Sequence, residues 1–420
     1  MSAARAVALV GALALAPSLA AQTVAVTGAT VHPVSSAPIE NATVLVRDGR
    51  IVAVGSEVEI PADAERLDAS GTVVTPGLID TGSNLGLTEV GAVDDTRDYS
   101  LGADDPIRAA FDVTDGINPN SSLIPINRLL GVTTALTSPS GGLIAGRAAM
   151  IDLAGATVGE MVVRPRAAMM ASFDADDAGG ARGGVSLRLR EVLDDARFWR
   201  DNRAAFDRGA ARSLAASRLD LEALQPVLDG DMPFVVTVDR ASDIEAVLRI
   251  AADYDLDLVI RSGAEAWMVA GELAAADVPV ILRPLTNAPS SFARLGARFD
   301  NTALLRAAGV PVMLTSFETH QAGDLTWQAG NAVRAGLEWA DALRAVTLAP
   351  ATAFGVGDDY GSLEAGKVAN LVVWSGDPFE LSSRPLHVMI RGEFVPATSR
   401  QRELFERYRE IDAVTPPAYR

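Results

Sequence analysis

The chain has 420 residues, 49% of them apolar, and a formal net charge of −18. An acidic balance of this size repels phosphate backbones and argues against nucleic acid as a partner. The absence of cysteine excludes disulfides and thiolate chemistry, and the length suits either two or three domains or one barrel with a smaller module.

At the N-terminus, "MSAARAVALVGALALAPSLAAQ" has one early cation, Arg5, an apolar run from Ala6 to Ala16, then Pro17 and small residues. This is the pattern of a secretory signal peptide over residues 1–21, cleaved after Ala20 or Ala21. It implies an exported, periplasmic or extracellular protein. The apolar run is too short for a permanent membrane helix, so no membrane span is expected after cleavage. Residues 22–74 read as short strands separated by turn signals, with Asp48-Gly49 marking a hairpin. The stretches "GSLEAGKVANLVVWSG" and "HVMIRGEFVPA" within 352–398 read the same way. Both chain ends are therefore expected to build one small β-sandwich module.

The middle, 75–351, alternates apolar strands with amphipathic helices. "PFVVTVD" is followed by the helix "RASDIEAVLRIAADYD", and further on come the strands "LDLVIRSG", "VPVILRP" and "VPVMLTS". Short, mainly β-branched strands spaced by helices indicate parallel βα units. The expected fold class is α/β: a (β/α)8 TIM-like barrel, with an open doubly wound sheet as the alternative. No G-x-G-x-x-G follows a strand to favour nucleotide binding. The acidic stretch 87–106 reads as a surface excursion. Residues 174–209 read as an insertion lying over one end of the barrel, and 399–420 as a charged helical tail.

Four stretches carry a family likeness: "VVTPGLID" (73–80), "GVTTALTSPSGGLIAGRAAMI" (131–151), residues 220–274 from "DLEALQPVLDG" to "MVAGELA", and residues 336–378 from "GLEWADALRAV" to "LVVWSGDP". In this order they resemble the amidohydrolase superfamily, in particular its imidazolonepropionase-like exported bacterial branch. The resemblance implies metal-assisted hydrolysis of C–N bonds in amides or cyclic amides. A bound divalent metal lowers the pKa of water from about 15.7 to about 7, and its ligands come from the C-terminal ends of barrel strands.

Carried over residue by residue, the family's His-x-His after the first strand falls on Gly82 and Asn84. The histidine ending the fifth strand falls on Thr237, and that ending the sixth falls on or beside Ser262. The aspartate ending the eighth falls near Ser316 or Phe317. The single lysine, Lys367, lies in the module turn and supplies no bridging lysine. Of three histidines, His32 and His387 sit in module strands and only His320 belongs to the barrel. One imidazole without thiolates does not make a zinc site. The expectation is therefore no cofactor, the inherited zinc-type centre having been lost.

Polar residues still collect at the expected strand ends: Asp239 and Arg240; Arg261, Ser262 and Glu265; Arg283; then Glu318, His320 and Asp324. Arginines so placed can hold a carboxylate or phosphate through two parallel hydrogen bonds; the blander alternative is that the charges pair with one another. Asp239, Glu318 and His320 are the candidates for acid–base chemistry, and Asp239, Glu265 and Glu318 for a hard cation. Neither G-x-S-x-G nor S-x-x-K is present to support a serine nucleophile. "SPSGGLIAG" (138–146) reads as backbone geometry near the pocket, Asp80 as a hydrogen-bonding turn residue, and Trp267 and Trp327 as helix-packing side chains. Two functions follow. One is a metal-free binding or partner subunit, pairing with a metal-intact amidohydrolase relative or with itself. The other is an active amidohydrolase with a rebuilt metal-free or hard-cation site.

Overall fold

The computed structural model describes residues 23–101, 105–174, 180–208 and 212–409. The expected signal peptide, the start of the 174–209 segment (175–179) and the last residues of the tail lie outside them.

Sixteen strands are described, in two sheets. The first sheet takes β1 (Thr23–Val31), β2 (Ile39–Arg47), β3 (Arg50–Gly55), β4 (Glu65–Asp68) and β5 (Val73–Pro76) from the N-terminal part. The second takes β6 (Leu78–Asp80), β7 (Val132–Thr137), β8 (Ile144–Asp152), β9 (Val162–Ser172), β10 (Phe234–Val238), β11 (Leu258–Ser262), β12 (Val280–Leu282) and β13 (Val312–Leu314). Strands β14 (Leu371–Trp374), β15 (Pro385–Ile390) and β16 (Glu393–Phe394) return to the first.

The first sheet runs β16-β15-β14-β5-β1-β2-β3, with β4 also on β1. Both chain ends build it, because β14 pairs antiparallel with β5, and the Trp374 indole donates to Thr75 across that pairing at 2.9 Å. Its hydrogen bonding joins all eight strands in one sheet where the sequence suggested a sandwich. Asp48 (φ 52°) and Gly49 (φ 77°) make the β2–β3 hairpin turn, both in the left-handed region that this tight turn requires. The chain crosses between sheets at Gly77, where an added Cβ would lie 2.1 Å from the Thr133 side chain. Only a glycine lets the backbone pass.

The second sheet is the barrel, in the order β6 to β13. It departs from a regular (β/α)8 barrel at β8, which runs antiparallel to both β7 and β9. The cause is the short link 138–143. A parallel neighbour needs a crossover of a dozen or more residues, and here Gly141 and Gly142, both with positive φ, simply turn the chain back. A second correction concerns 174–209. Its helix Arg182–Asp207 buries Val185, Leu189, Val192, Leu193, Ala196 and Trp199 in the main core and packs on the helix Ala241–Tyr254. It is the wall helix between β9 and β10, not a cover over one end. Within 87–106, Leu87 and Thr88 are buried while Val90 and Val93 are exposed, so the surface excursion is anchored at its start.

Strand alternation sorts the barrel residues into two faces. Ile79, Leu136, Ala148, Met150, Ala168, Met170, Val235, Val259, Ile281 and Met313 form the interior, closed at the N-terminal end by Phe354, Val356 and Tyr360. Their neighbours along each strand pack outward against the helices. Among the described residues no helix is long and apolar enough to cross a membrane.

Candidate functional site

Counting outward from the apolar interior, the next inward positions are polar. Ser172 of β9, Thr237 of β10 and Arg261 of β11 are register partners across adjacent strands, and Arg261 is followed by Ile281 and Met313 in the same row. Alternation thus turns Arg261, two residues beyond Val259, into the barrel. Its Nη2 donates to the Gly82 carbonyl at 3.4 Å, and its guanidinium lies 4.5 Å from the centre of the Phe317 ring. Burial draws the guanidinium down to about 10, opposed by the negative charge of Asp80. The Asp80 carboxyl is fully buried. It accepts from Thr315 Oγ1 at 2.7 Å and from the Gly82 amide at 3.3 Å. Burial pushes Asp80 above the usual carboxylate range, against the pull of Ser83, Thr315, Gly82 and the Arg261 charge.

Gly82 and Asn84, the positions on which the sequence resemblance places a His-x-His, are tightly packed or hydrogen-bonded here. A Cβ on Gly82 would stand 2.1 Å from Thr315 Oγ1 and 2.7 Å from Phe317 Cδ1, so the space a longer side chain needs is filled from the other side of the barrel. Asn84 donates through Nδ2 to the Ser138 carbonyl at 2.5 Å, and its amide donates to Thr319 Oγ1 at 3.0 Å. It staples the end of β6 to the end of β7 and to the chain beyond β13.

Around this centre the predicted charges are matched. Asp239 accepts from Ser262 Oγ at 2.6 Å, from the Ala264 amide at 3.0 Å and from Arg294 Nε at 2.7 Å. Ser262 holds φ of 83° and Phe317 φ of 54°, strained left-handed backbone at two strand ends of the same mouth, each costing about 1–3 kcal/mol. Glu265 accepts from the amides of Ala241 and Gly296, fixing the segment that carries Arg294. Arg283 pairs with Glu318 at 3.3 Å, and Ser316 Oγ accepts from the Glu318 amide at 3.1 Å. The exposed His320 bonds through Nε2 with the Glu89 carbonyl. Asp324 is raised by burial and by the charge of Glu318. Lys367 donates to the Gly357 carbonyl at 2.6 Å in the module turn. The Trp267 indole bonds to the Gly296 carbonyl, whereas Trp327 is half exposed instead of packed.

The sequence reading missed Arg294 and Thr315. Arg294 lies in the irregular stretch 285–300, whose residues carry no periodic signal. Thr315 is an ordinary strand-end threonine until its neighbours across the barrel are known. A cavity of about 60 Å³ opens at the mouth, lined by Ser172, Thr237, Arg182, Asp239, Asp243 and Ala293, among others. A larger one, about 400 Å³, lies at the opposite end of the barrel between Met313, Arg306, Asp341 and Arg344.

An eight-stranded α/β barrel coupled to a sheet from both chain ends, with polar residues at the strand C-termini, is the architecture this chain shares with solved amidohydrolases. A family model for the amidohydrolase family matches residues 283–395. The crystal structure of an amidohydrolase from Thermotoga maritima superposes with a TM-score of 0.81 at 29% identity, over 89% of this chain and 99% of that one. An adenosine deaminase from Xanthomonas campestris, solved with bound zinc, shares the fold at a TM-score of 0.53 and 19% identity, over 88% and 92% of the two chains. The Amidohydrolase tasK of Hapsidospora irregularis is 26% identical over 83% of this chain, which spans 39% of that protein's length. Over these stretches the chain is similar to amidohydrolases in both sequence and fold.

Among the described residues no three His, Asp or Glu side chains are grouped so as to hold a metal ion. A guanidinium at the centre would repel a divalent cation, and Asp80, the nearest acid, is saturated by its turn. The residues present do not fit the family's metal.

Proposed function

We propose that this chain works as a metal-free member of its superfamily, a binding or partner subunit rather than a hydrolase. The observation that supports this most directly is Arg261 standing inside the barrel mouth against Gly82 and Phe317. A fixed cation there opposes a divalent ion electrostatically, and Thr315 and Phe317 fill the room that a histidine at position 82 would need. Asp239 and Glu318, the best carboxylates for a rebuilt site, are each held by an arginine, which disfavours a free general base. A partner role draws support from the surface near the mouth. Phe292 is 87% exposed, and Leu295, Phe299 and Met268 are exposed as well; apolar side chains concentrated on one loop and its neighbour mark interaction surfaces. The partner would be a metal-intact amidohydrolase relative or a second copy of this chain, and the compartment the periplasm or the cell exterior.

The test is elemental analysis of protein purified without chelator, then calorimetric titration with Zn²⁺, Mn²⁺, Mg²⁺ and Ca²⁺. Absence of stoichiometric metal and of binding heat is the expected result. A bound transition metal accompanied by amide hydrolysis would overturn the reading in favour of an active enzyme.

A further inference from the structure

A further cavity, of about 240 Å³, lies between the helix Leu123–Arg128 and the link that carries the chain from β8 to β9. Thr134, near the start of β7, pairs with Asp152 at the end of β8, so this link leaves the barrel at the end opposite the mouth. Ile124, Leu153 and Met161 give the cavity apolar walls, and its polar lining is Asn120, Ser121 and Arg128. Among the described residues no acid lines it. The cavity of about 400 Å³ differs in this respect, because Arg306 meets Asp341 there at 2.9 Å and Asp277 lines it as well.

Arg128 is half-buried and forms no ion pair among the described residues; burial draws its guanidinium below the ordinary value with no acid opposing. Its Nη1 donates one long hydrogen bond, to the Leu153 carbonyl at 3.4 Å, and its Nε is buried without a partner. A guanidinium presents five N–H donors in a planar fork, so most of this fork is unmet within the fold. Ser121 is held loosely too: its hydroxyl reaches the Thr88 carbonyl only at 3.5 Å and accepts from the Leu123 amide at 3.4 Å. The acids of the flanking segments are already engaged. Glu89 accepts from the Ser122 amide and hydroxyl at 3.0 and 2.9 Å, and Glu160 from the Ala156 amide at 2.7 Å. A volume of about 240 Å³ equals roughly eight waters at about 30 Å³ each, room for a ligand of about eight to ten non-hydrogen atoms. We propose that this cavity binds a small monocarboxylate with a branched or aromatic apolar body, its oxygens on the Arg128 guanidinium and its body against Ile124, Leu153 and Met161. The planar fork matches a carboxylate edge through two parallel bonds. A single cation suits a singly charged anion; the second charge of phosphate would be desolvated without a partner. The site lies apart from the mouth, and the inference holds whether or not a metal binds there.

The test titrates the full-length protein with 3-methylbutanoate, benzoate, acetate, inorganic phosphate and the uncharged 3-methylbutanamide at constant ionic strength. Melting temperature and the Nε–H resonances of ¹⁵N-arginine-labelled protein are followed. 3-Methylbutanoate or benzoate is expected to raise the melting temperature saturably and to move one arginine resonance. The amide, which lacks the charge-assisted bonds, should bind about ten-fold more weakly or worse, and acetate and phosphate should be weak as well. Arg128→Met, which keeps an apolar stem and removes the charge, should abolish both effects. Arg128→Lys keeps a charge but not the fork and should weaken binding about five-fold, the size of one ordinary hydrogen bond. Ala154→Leu, which places a larger side chain in the cavity lining, should abolish binding with Arg128 intact. Arg344→Gln, in the larger cavity, should respond like the native protein. Should Arg128→Met not fold, Arg128→Lys and Ala154→Leu decide, since each must lower the affinity. No saturable response in the native protein, an amide that binds as well as the acid, or undiminished binding in the Arg128 and Ala154 variants overturns the proposal. Loss of binding in Arg344→Gln alone overturns it too, because the ligand would then occupy the other cavity.

Discussion

The Thr315 hydroxyl donates to the Asp80 carboxylate at 2.7 Å, joining the first and last strands of the barrel. Among the described residues β6 and β13 share no strand pairing. Side chains therefore help close the seam: Thr315 on Asp80, and Thr319 on the Asn84 backbone amide. These strand-end side chains fasten the barrel.

Thr315→Val should remove the donor to a buried carboxyl and leave the seam held by the longer bonds. The expected cost is about 1–3 kcal/mol, read as a lower urea midpoint with an unchanged slope. An unaltered midpoint would show that the seam is held elsewhere.

Gly82→Ala places a methyl 2.1 Å from Thr315 Oγ1. Overpacking of this kind costs about 1–3 kcal/mol. The same clash predicts that Gly82→His combined with Asn84→His does not regain zinc. Pairing those changes with Thr315→Ala and Phe317→Ala supplies the room. Zinc uptake by the first double variant alone, measured by elemental analysis, would contradict the packing argument.

Asp80 gives a pH dependence whose sign can be worked out. Its folded-state pKa is raised by burial above its unfolded value, so the folded state holds this proton more tightly than the unfolded one. Its contribution is fully present below the unfolded pKa, near 3.9, and falls away as pH rises through the raised folded value. Asp80→Asn should flatten that part of the stability profile, the gap between variant and native protein moving in the variant's favour from pH 4 towards pH 8. Parallel profiles from chemical denaturation across that range would refute the assignment.

Asp152 predicts a different failure. This fully buried carboxylate accepts from Thr134 at 2.9 Å, Asn370 at 3.0 Å, Tyr360 at 3.1 Å and Arg391 at 2.6 Å. It ties β7 and β8 to the module strands and to the segment that plugs the barrel floor. Asp152→Ala leaves a guanidinium and three polar groups without their acceptor and should cost about 3–5 kcal/mol. Loss of soluble protein or a much lower melting temperature is expected. Tyr360→Phe, which removes one neutral donor, should cost only about 1 kcal/mol.

Much of the fold was legible because it depends on local chemistry. Alternating or continuous apolar runs located β10 to β13, Asp48-Gly49 located a hairpin, and the strand-like character of both chain ends foretold that they share a sheet. The same reading placed Arg261, Asp239 and Glu318 at strand ends, where the barrel gathers its polar side chains. It missed the reversal of β8, because a short glycine-containing link looks alike whether the next strand runs back or goes round. It misplaced the helix Arg182–Asp207, whose charged composition hides a buried stripe.

What the sequence determined by itself was a set of residue types: no cysteine, three histidines, and glycine and asparagine at 82 and 84 beyond the first barrel strand. These limit which metals could be bound before any coordinates are considered. Only the tertiary structure decided what stands in that place. Asp239 meets Arg294, Glu318 meets Arg283, and Arg261 feels the charge of Asp80 without an ion pair among the described residues. Charge matching depends on distances between strand ends and loops far apart in the chain. Those distances are set by how the barrel closes, which no local pattern encodes.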